Sequence, residues 1–362
     1  VVATIDGASI NGNKSATGGG GGLMAVVQAS EISIGNSEFV GNQTDNGEGG
    51  AVNVAVTNGA FYGSYLYAAG NANTNGAAGA VQVTASASDF GLEYSGFFDN
   101  SATTCGGGLR LTGSPNQASV GHSTFYYNSA SCGGGMSMFS PSSSAIMVEV
   151  KYSEFSRNQA TSASSVTGGG AIFAEFSSSS SMFLKNSTIS GNESAGVAGG
   201  VRLKGDMSAQ IKYSTIANNY TYNQGGGVYN TSTSCSINNS ILAGNTNQTG
   251  LYQDLKGSQD CSVSNSLLAG AKYSDYSDGG GNILDTAPKL GPLADNGGNA
   301  GYTHALMADS PAIDAGSAGS GAPNNDQRGP GFPRVIGPAI DMGAYEFSAA
   351  PGVIFQDRFE QL

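Results

Sequence analysis

Short alternating runs of apolar and polar residues recur along this chain, each opened by glycines and closed by an asparagine. Gly49-Gly50 precedes Ala51-Val-Asn-Val54, Gly106–Gly108 precedes Leu109-Arg-Leu111, and Gly133–Gly135 precedes Met136-Ser-Met138. Gly199-Gly200 precedes Val201-Arg-Leu203, and Gly225–Gly227 precedes Val228-Tyr229. A second alternating run follows in each unit: Ile32-Ser-Ile34, Val148-Glu-Val150, Met182-Phe-Leu184. Period-two alternation over a few residues bounded by Gly, Ser and Asn predicts half-buried strands. Apolar spacing at three and four is sustained nowhere, so the chain is predicted to be all-β with almost no helix.

After the second strand comes a fixed phrase: a serine, a large apolar residue two positions on, then an asparagine three further. It reads Ser37-Glu-Phe39-Val-Gly-Asn42, Ser95-Gly-Phe97-Phe-Asp-Asn100, Ser123-Thr-Phe125-Tyr-Tyr-Asn128, Ser153-Glu-Phe155-Ser-Arg-Asn158, Ser187-Thr-Ile189-Ser-Gly-Asn192 and Ser214-Thr-Ile216-Ala-Asn-Asn219. Asn13, Asn42, Asn71, Asn100, Asn128, Asn158, Asn192, Asn219 and Asn245 fall at intervals of 29, 29, 29, 28, 30, 34, 27 and 26 residues. A period in this range marks a stacked-repeat protein. Two or three short strands per turn describe one coil of a parallel β-helix, and the bias of parallel crossovers makes it right-handed. About ten coils are expected over residues 1–286, the tenth asparagine position landing on Ala271. Phe39, Phe97, Phe125, Phe155, Ile189 and Ile216 should stack inside. The asparagines should form a ladder, because an amide can donate to one neighbour and accept from the other. Thr161–Thr167 and the Ser177–Ser181 run, both in the longest interval, read as loops.

Composition fits one elongated domain. Charged residues make up 11%, and the 57 glycines keep strict phase with the strands, which argues against low-complexity filler. A net charge of −12 disfavours nucleic acid and anionic membranes as partners. No apolar run is long enough to span a bilayer. The chain opens at Val1 already in strand grammar, which reads as a mature or trimmed form. Cys105 and Cys132 each precede a Gly-Gly-Gly run one coil apart; Cys235 and Cys261 each stand two residues before a core residue, also one coil apart. Stacked coils bring such residues within disulfide range, so the pairing Cys105–Cys132 and Cys235–Cys261 is expected. Disulfides imply an oxidising compartment.

The rhythm stops near Ala287, giving a second segment over residues 287–347 and a tail over 348–362. The segment contains Asp295-Asn-Gly-Gly298, Thr303-His-Ala-Leu306, Ser310-Pro-Ala-Ile-Asp-Ala-Gly316, Asp326-Gln-Arg-Gly329, Arg334 and Asp341-Met-Gly-Ala-Tyr-Glu346. These ordered phrases resemble the terminal segment of bacterial right-handed β-helix proteins of the choice-of-anchor Q family. The repeats, as "FVGN", "FFDN", "FYYN", "FSRN", "GGAV" and "GGAI", are similar to those of chlamydial polymorphic outer-membrane proteins. The first resemblance implies an exported bacterial surface protein held by variable means. No sorting motif follows Phe347 here, only a short tail ending in Phe359-Glu360-Gln361-Leu362. Asp314, Asp326, Arg328, Arg334, Asp341 and Glu346 read as a salt-bridged cap over the last coil, with calcium the alternative that such carboxylates would suit.

Candidate chemistry is sparse. His122 takes a strand position filled elsewhere by Tyr94, Tyr152 and Tyr213, which makes it one rung of an aromatic stack; His304 reads as a hydrogen-bonding structural residue. A zinc site finds no ligand spacing. Lys151, Lys185 and Lys212 lie seven residues before their asparagines, beside Tyr152 and Tyr213, and predict a basic stripe that would bind an anionic glycan or acidic partner. The expectation is a secreted surface adhesin or extracellular structural subunit needing no cofactor, with head-to-tail fibre formation through the tail as one form. A polysaccharide lyase or glycoside hydrolase on the same scaffold is the alternative. Its candidate residues are Arg202, expected with Arg110 to face outward, and the adjacent Lys204 and Asp206.

Overall fold

A computed structural model describes residues 2–141, 144–251, 253–270, 275–319 and 321–348. Ala271 and residues 351–362, with the expected rung and the fibre-forming tail, lie outside them. The described residues form a parallel β-helix of about nine turns without α-helix. A complete coil has four short strands, as in Val52–Thr57, Ala60–Ser64, Tyr67–Ala69 and Ala72–Asn73. Each pairs in parallel with its equivalents above and below, building sheets of 17, 11 and 9 strands.

The apolar phrase residues stack in register: Phe97 opposite Phe125, Phe125 opposite Phe155, Phe155 opposite Ile189, and Ile189 opposite Ile216. The phenyl rings of 97, 125 and 155 lie nearly parallel with centroids 4.7 and 4.5 Å apart. Among the described residues the column is interrupted only by Ala68, where the buried Leu66 fills space in place of the usual serine.

The asparagines form a continuous ladder. Each side-chain oxygen accepts from the backbone N–H and the amide of the preceding rung, as Asn128 Oδ1 does from Asn100 N and Nδ2 at 3.1 and 2.9 Å. A second ladder uses the phrase serines, the N–H of one donating to the hydroxyl of the next, as from Ser123 to Ser153 at 3.2 Å. Glycine is required where coils touch: a Cβ on Gly50 would meet the Gly79 carbonyl oxygen at 1.9 Å. The disulfides are Cys105–Cys132 and Cys235–Cys261, as the coil spacing predicts.

Three expectations need correction. The Ser177–Ser181 run is not a loop but the middle of the strand Ile172–Lys185. A register shift between Phe176 and Ser180 absorbs the extra residues, while the Ser178 hydroxyl donates to Ser144 and Ser180 accepts from Ile146 N–H. The rung after Asn245 is Asp254, which a fixed repeat cannot anticipate because it lies only nine residues on. Finally, the C-terminal segment does not sit over the last coil. It runs along the flank, against the outer side of the strands Glu154–Ser156, Thr188–Ser190, Thr215–Ala217 and Ile241–Ala243. Tyr302 N–H donates to Glu154 Oε2 at 2.9 Å, Thr188 to Gln327 Oε1 at 2.6 Å, and Ala344 N–H to Thr215 Oγ1 at 3.0 Å. Leu306, Ala312 and Met342 bury against Ile241, Ala243 and Leu267.

Candidate functional site

The residue before each ladder serine has a left-handed backbone, with φ of 44° at Asn36, 45° at Asn186, 49° at Asn239 and 47° at Asn265. Asparagine tolerates that conformation; bulky residues do so at a cost. Yet this column carries Tyr65, Tyr94, His122, Tyr152 and Tyr213, at φ of 53°, 51°, 47°, 48° and 52°. Strain of this kind persists where something else holds it in place, and it concentrates at functional positions.

Stacking is part of what holds it. Tyr65 to Tyr94, Tyr94 to His122 and His122 to Tyr152 lie nearly parallel with centroids 5.2, 4.6 and 4.9 Å apart. Carbon contact is reached at about 3.5–4 Å, so such rings are slipped sideways like stair treads, leaving part of each face uncovered. Glu93 anchors the middle tread, its Oε2 lying 2.9 Å from His122 Nδ1. Tyr213 stands apart from this run. It is buried under the flank segment with the Arg334 guanidinium 5.2 Å from its ring centre. Tyr65 and Tyr94 remain 57% and 38% exposed.

Beside the treads the next strand adds Tyr67 and Phe98, whose ring centroids are 5.3 Å apart. Gly96 lets the Phe98 ring fold back over the strand, because a Cβ there would lie 2.4 Å from it. Opposite stands the flank-segment loop from Asp295 to Tyr302. It comes close because Gly301, at φ +74°, approaches where a Cβ would be 2.6 Å from Glu154. Between these walls lies a cleft of about 600 Å³. Glu154, beneath Gly301 and Tyr302, is fully buried; burial pushes its carboxyl up to about 7 despite hydrogen bonds from Ser156 and Tyr302.

A second groove of about 740 Å³ runs along the other end of the segment, lined by Arg157, Ser190, Lys289 and His304. His304 Nδ1 lies 2.8 Å from the Gly291 carbonyl oxygen, which can only accept, so that nitrogen carries the proton. Nε2 then accepts from the Ser190 hydroxyl at 2.8 Å. Burial holds His304 below the ordinary histidine range. The neighbouring Gly191 N–H donates to Ala217 and so is not turned toward Ser190. The pair ties the segment to the solenoid.

The predicted basic stripe is altered by one residue. Glu149 Oε2 lies 3.2 Å from Lys151 and its Oε1 2.9 Å from Lys185, so two of the lysines flank a carboxylate held below its usual range by them despite its burial. Lys212 carries no ion pair among the described residues. Tyr152 belongs to the stair and Tyr213 to the flank contact, so the five residues are not one surface. Arg202 lies on the outer side of its strand but does not reach solvent. It is 3% exposed, lies over the Tyr229 ring and donates to the Leu203 carbonyl and Thr231 hydroxyl, both at 2.8 Å. Alternation in sequence gives the side of a strand but not the fold-back of a long side chain onto it. Arg110 is half-buried and pairs with Glu48 at 3.0 Å. Lys204 pairs with Glu175 at 2.7 Å, and Asp206 accepts from Ser179 and Thr233.

The carboxylates of the flank segment are engaged with protein donors. Asp326 pairs with Arg328 at 2.5 Å, Asp341 accepts from Asp314 and Phe347 N–H, and Glu346 accepts from Asp341 N–H. Among the described residues no group of three potential ligands is placed to hold a metal ion.

The class of protein these features define is a parallel β-helix with a packed flank segment and an exposed aromatic stair. No family model and no curated protein matches the chain, so the likeness to choice-of-anchor Q and polymorphic outer-membrane proteins rests on the quoted phrases alone.

Proposed function

We propose that this chain is a secreted extracellular protein of surface adhesion or structural type, which binds ligand on its flank rather than transforming it. The observation that carries the reading is the stair: three tyrosines and a histidine occupy left-handed positions that suit asparagine, and two of the tyrosines stay open to solvent. The two disulfides between adjacent coils favour an oxidising compartment. The same reading prefers binding to lyase or hydrolase chemistry because Arg202 and Lys204 are tied down by neighbours. Incubation with a glycan panel, scoring both retention and the release of unsaturated or shortened sugars, tests it. Retention without release is expected; catalytic release would overturn it.

A second reading is head-to-tail association into fibres, since coils that pair in parallel through their backbone edges could be continued by a second copy. Light scattering and negative-stain microscopy of the purified protein test this. Long fibres support it, and a monomer at all concentrations defeats it.

A further inference from the structure

The chemistry of the cleft says what kind of ligand the flank would take. Its solenoid wall is a set of slipped aromatic treads, Tyr65, Tyr94 and His122, with Tyr67 and Phe98 forming an apolar floor. A partly uncovered aromatic face suits the flat C–H face of a pyranose ring, which is apolar there and ringed by hydroxyls at its edge. The phenol hydroxyls of Tyr65, Tyr67 and Tyr94 supply groups that both donate and accept. Across the cleft, Asp295 uses one carboxylate oxygen for Gly297 N–H at 2.8 Å, and its other oxygen has no hydrogen bond among the described residues. A carboxylate oxygen can accept only, so it fits a sugar hydroxyl donor.

Charge narrows the class further. No lysine or arginine lines the cleft among the described residues, while Asp295 lies in its wall and Glu93 backs His122. An acidic rim in a chain of net charge −12 repels uronates and sulfated sugars. We infer that the cleft between the aromatic stair and the Asp295–Tyr302 loop is a binding site for an uncharged glycan of equatorially substituted hexopyranoses. The inference rests on the flank-binding reading above. It differs from a lysine-track site both in place and in ligand charge.

The fold itself provides a clean variant. Asn36, Asn186, Asn239 and Asn265 occupy the same left-handed position in other coils, so Tyr65→Asn and Tyr94→Asn remove the rings while keeping a side chain that suits the backbone. The full chain is tested by isothermal titration against soluble mixed-linkage β-glucan, chitin oligosaccharides and polygalacturonate. Tyr222→Ala, an exposed ring away from the stair and the cleft, serves as control, and melting curves establish that each variant folds. We expect binding to one of the two neutral glycans, weakened at least tenfold by Tyr94→Asn and Asp295→Ala and less than twofold by Tyr222→Ala. Polygalacturonate binding without neutral-glycan binding would overturn the inference and leave the flank-binding reading standing. Neutral-glycan binding that survives Tyr94→Asn and Asp295→Ala would do the same. Absence of binding to every member of the wider panel would overturn both.

Discussion

Replacing Asn128 by aspartate should separate the two jobs of a ladder rung. The orientation of the native amide is forced by its partners. Its oxygen faces two donors, Asn100 N–H and Nδ2, and its nitrogen faces two acceptors, the Phe97 carbonyl at 2.9 Å and Asn158 Oδ1 at 3.0 Å. Asn128→Asp keeps both accepted bonds and loses both donated ones. It also sets a carboxylate oxygen against two acceptors in a fully buried site. Asn128→Ala loses all four. With about 1 kcal/mol for each of the four lost bonds and 1–3 kcal/mol for the buried Asn100 N–H left unpaired, alanine should cost about 5–7 kcal/mol. The chain contains its own counter-example. Asp254 ends the ladder, accepting from Asn245 N–H and Nδ2 through Oδ1 and from Gly270 N–H at 2.7 Å through Oδ2. An acceptor-only side chain belongs where every neighbour donates, so Asp254→Asn should also destabilise, by turning an amide N–H toward the Gly270 N–H.

Urea unfolding followed by circular dichroism, with hydrogen exchange read peptide by peptide, measures these effects. Coils of a solenoid contact only their neighbours, so loss of an interior rung should split unfolding into two transitions on either side of coil 128. For Asn128→Asp the loss should be larger at pH 8 than at pH 5, because the protonated acid can donate one bond and the carboxylate none. An Asn128→Asp protein as stable as wild type at pH 8, or one indifferent to pH between those values, would refute the donor–acceptor account of the ladder.

Replacing both cysteines of either disulfide by serine should cost about 3 kcal/mol on chain-entropy grounds, since the bridges close loops of 27 and 26 residues; unchanged unfolding midpoints would contradict that. Arg334 is buried, stacks on Tyr213 and donates to the Asp341 and Gly343 carbonyls, so Arg334→Ala should cost about 3–5 kcal/mol and release the flank segment to limited proteolysis while the solenoid stays resistant. Glu154 and Glu346 have carboxyls raised by burial to about 7, against 4.5 for the exposed group. The fold therefore favours their neutral forms: this stability is present below pH 4.5 and is lost as pH rises through about 7. Melting temperature should fall over that window, and less steeply in Glu154→Gln, whose amide can still accept from Tyr302 N–H; a parallel profile for that variant would exclude Glu154 as a contributor.

What could be read from the sequence is what repeats. The parallel β-helix, the Asn ladder, the Phe and Ile stack and both disulfide pairs follow from phase alone, because stacking turns a period of about 29 residues into contact between equivalent positions. Whatever breaks the period was hidden. Asp254 stands nine residues after Asn245 rather than a full coil, and a serine run resembling a loop proves to be a strand because its neighbours on both sides supply pairing partners. The flank contact left a trace that could have been followed. At the position after the ladder serine the residues run Glu38, Tyr67, Gly96, Thr124, Glu154, Thr188, Thr215, then Ile241 and Leu267. Apolar residues at an outward position late in a solenoid require a cover, and only the non-repeating segment remained to supply it.

The same column also explains why the cleft lies where it does. Flank-segment contacts are dense from Glu154 onward, where the outward residues are buried, and at Gly301 the chain swings in against Thr124 and Glu154. Earlier coils keep Glu38 and Tyr67 open, so the treads at Tyr65 and Tyr94 are exposed not because the coil differs there but because the cover stops. A tyrosine at 213 is stabilised by Arg334 above it, whereas Tyr65 and Tyr94 stack on each other and on His122. Asparagine would relieve the backbone at both positions. If the rings served only stability, Tyr65→Asn and Tyr94→Asn would lower the melting temperature through lost stacking. If they are kept for a ligand, the variants should melt at or above the wild-type temperature and lose glycan binding, and that pair of signs separates a structural stair from a binding one.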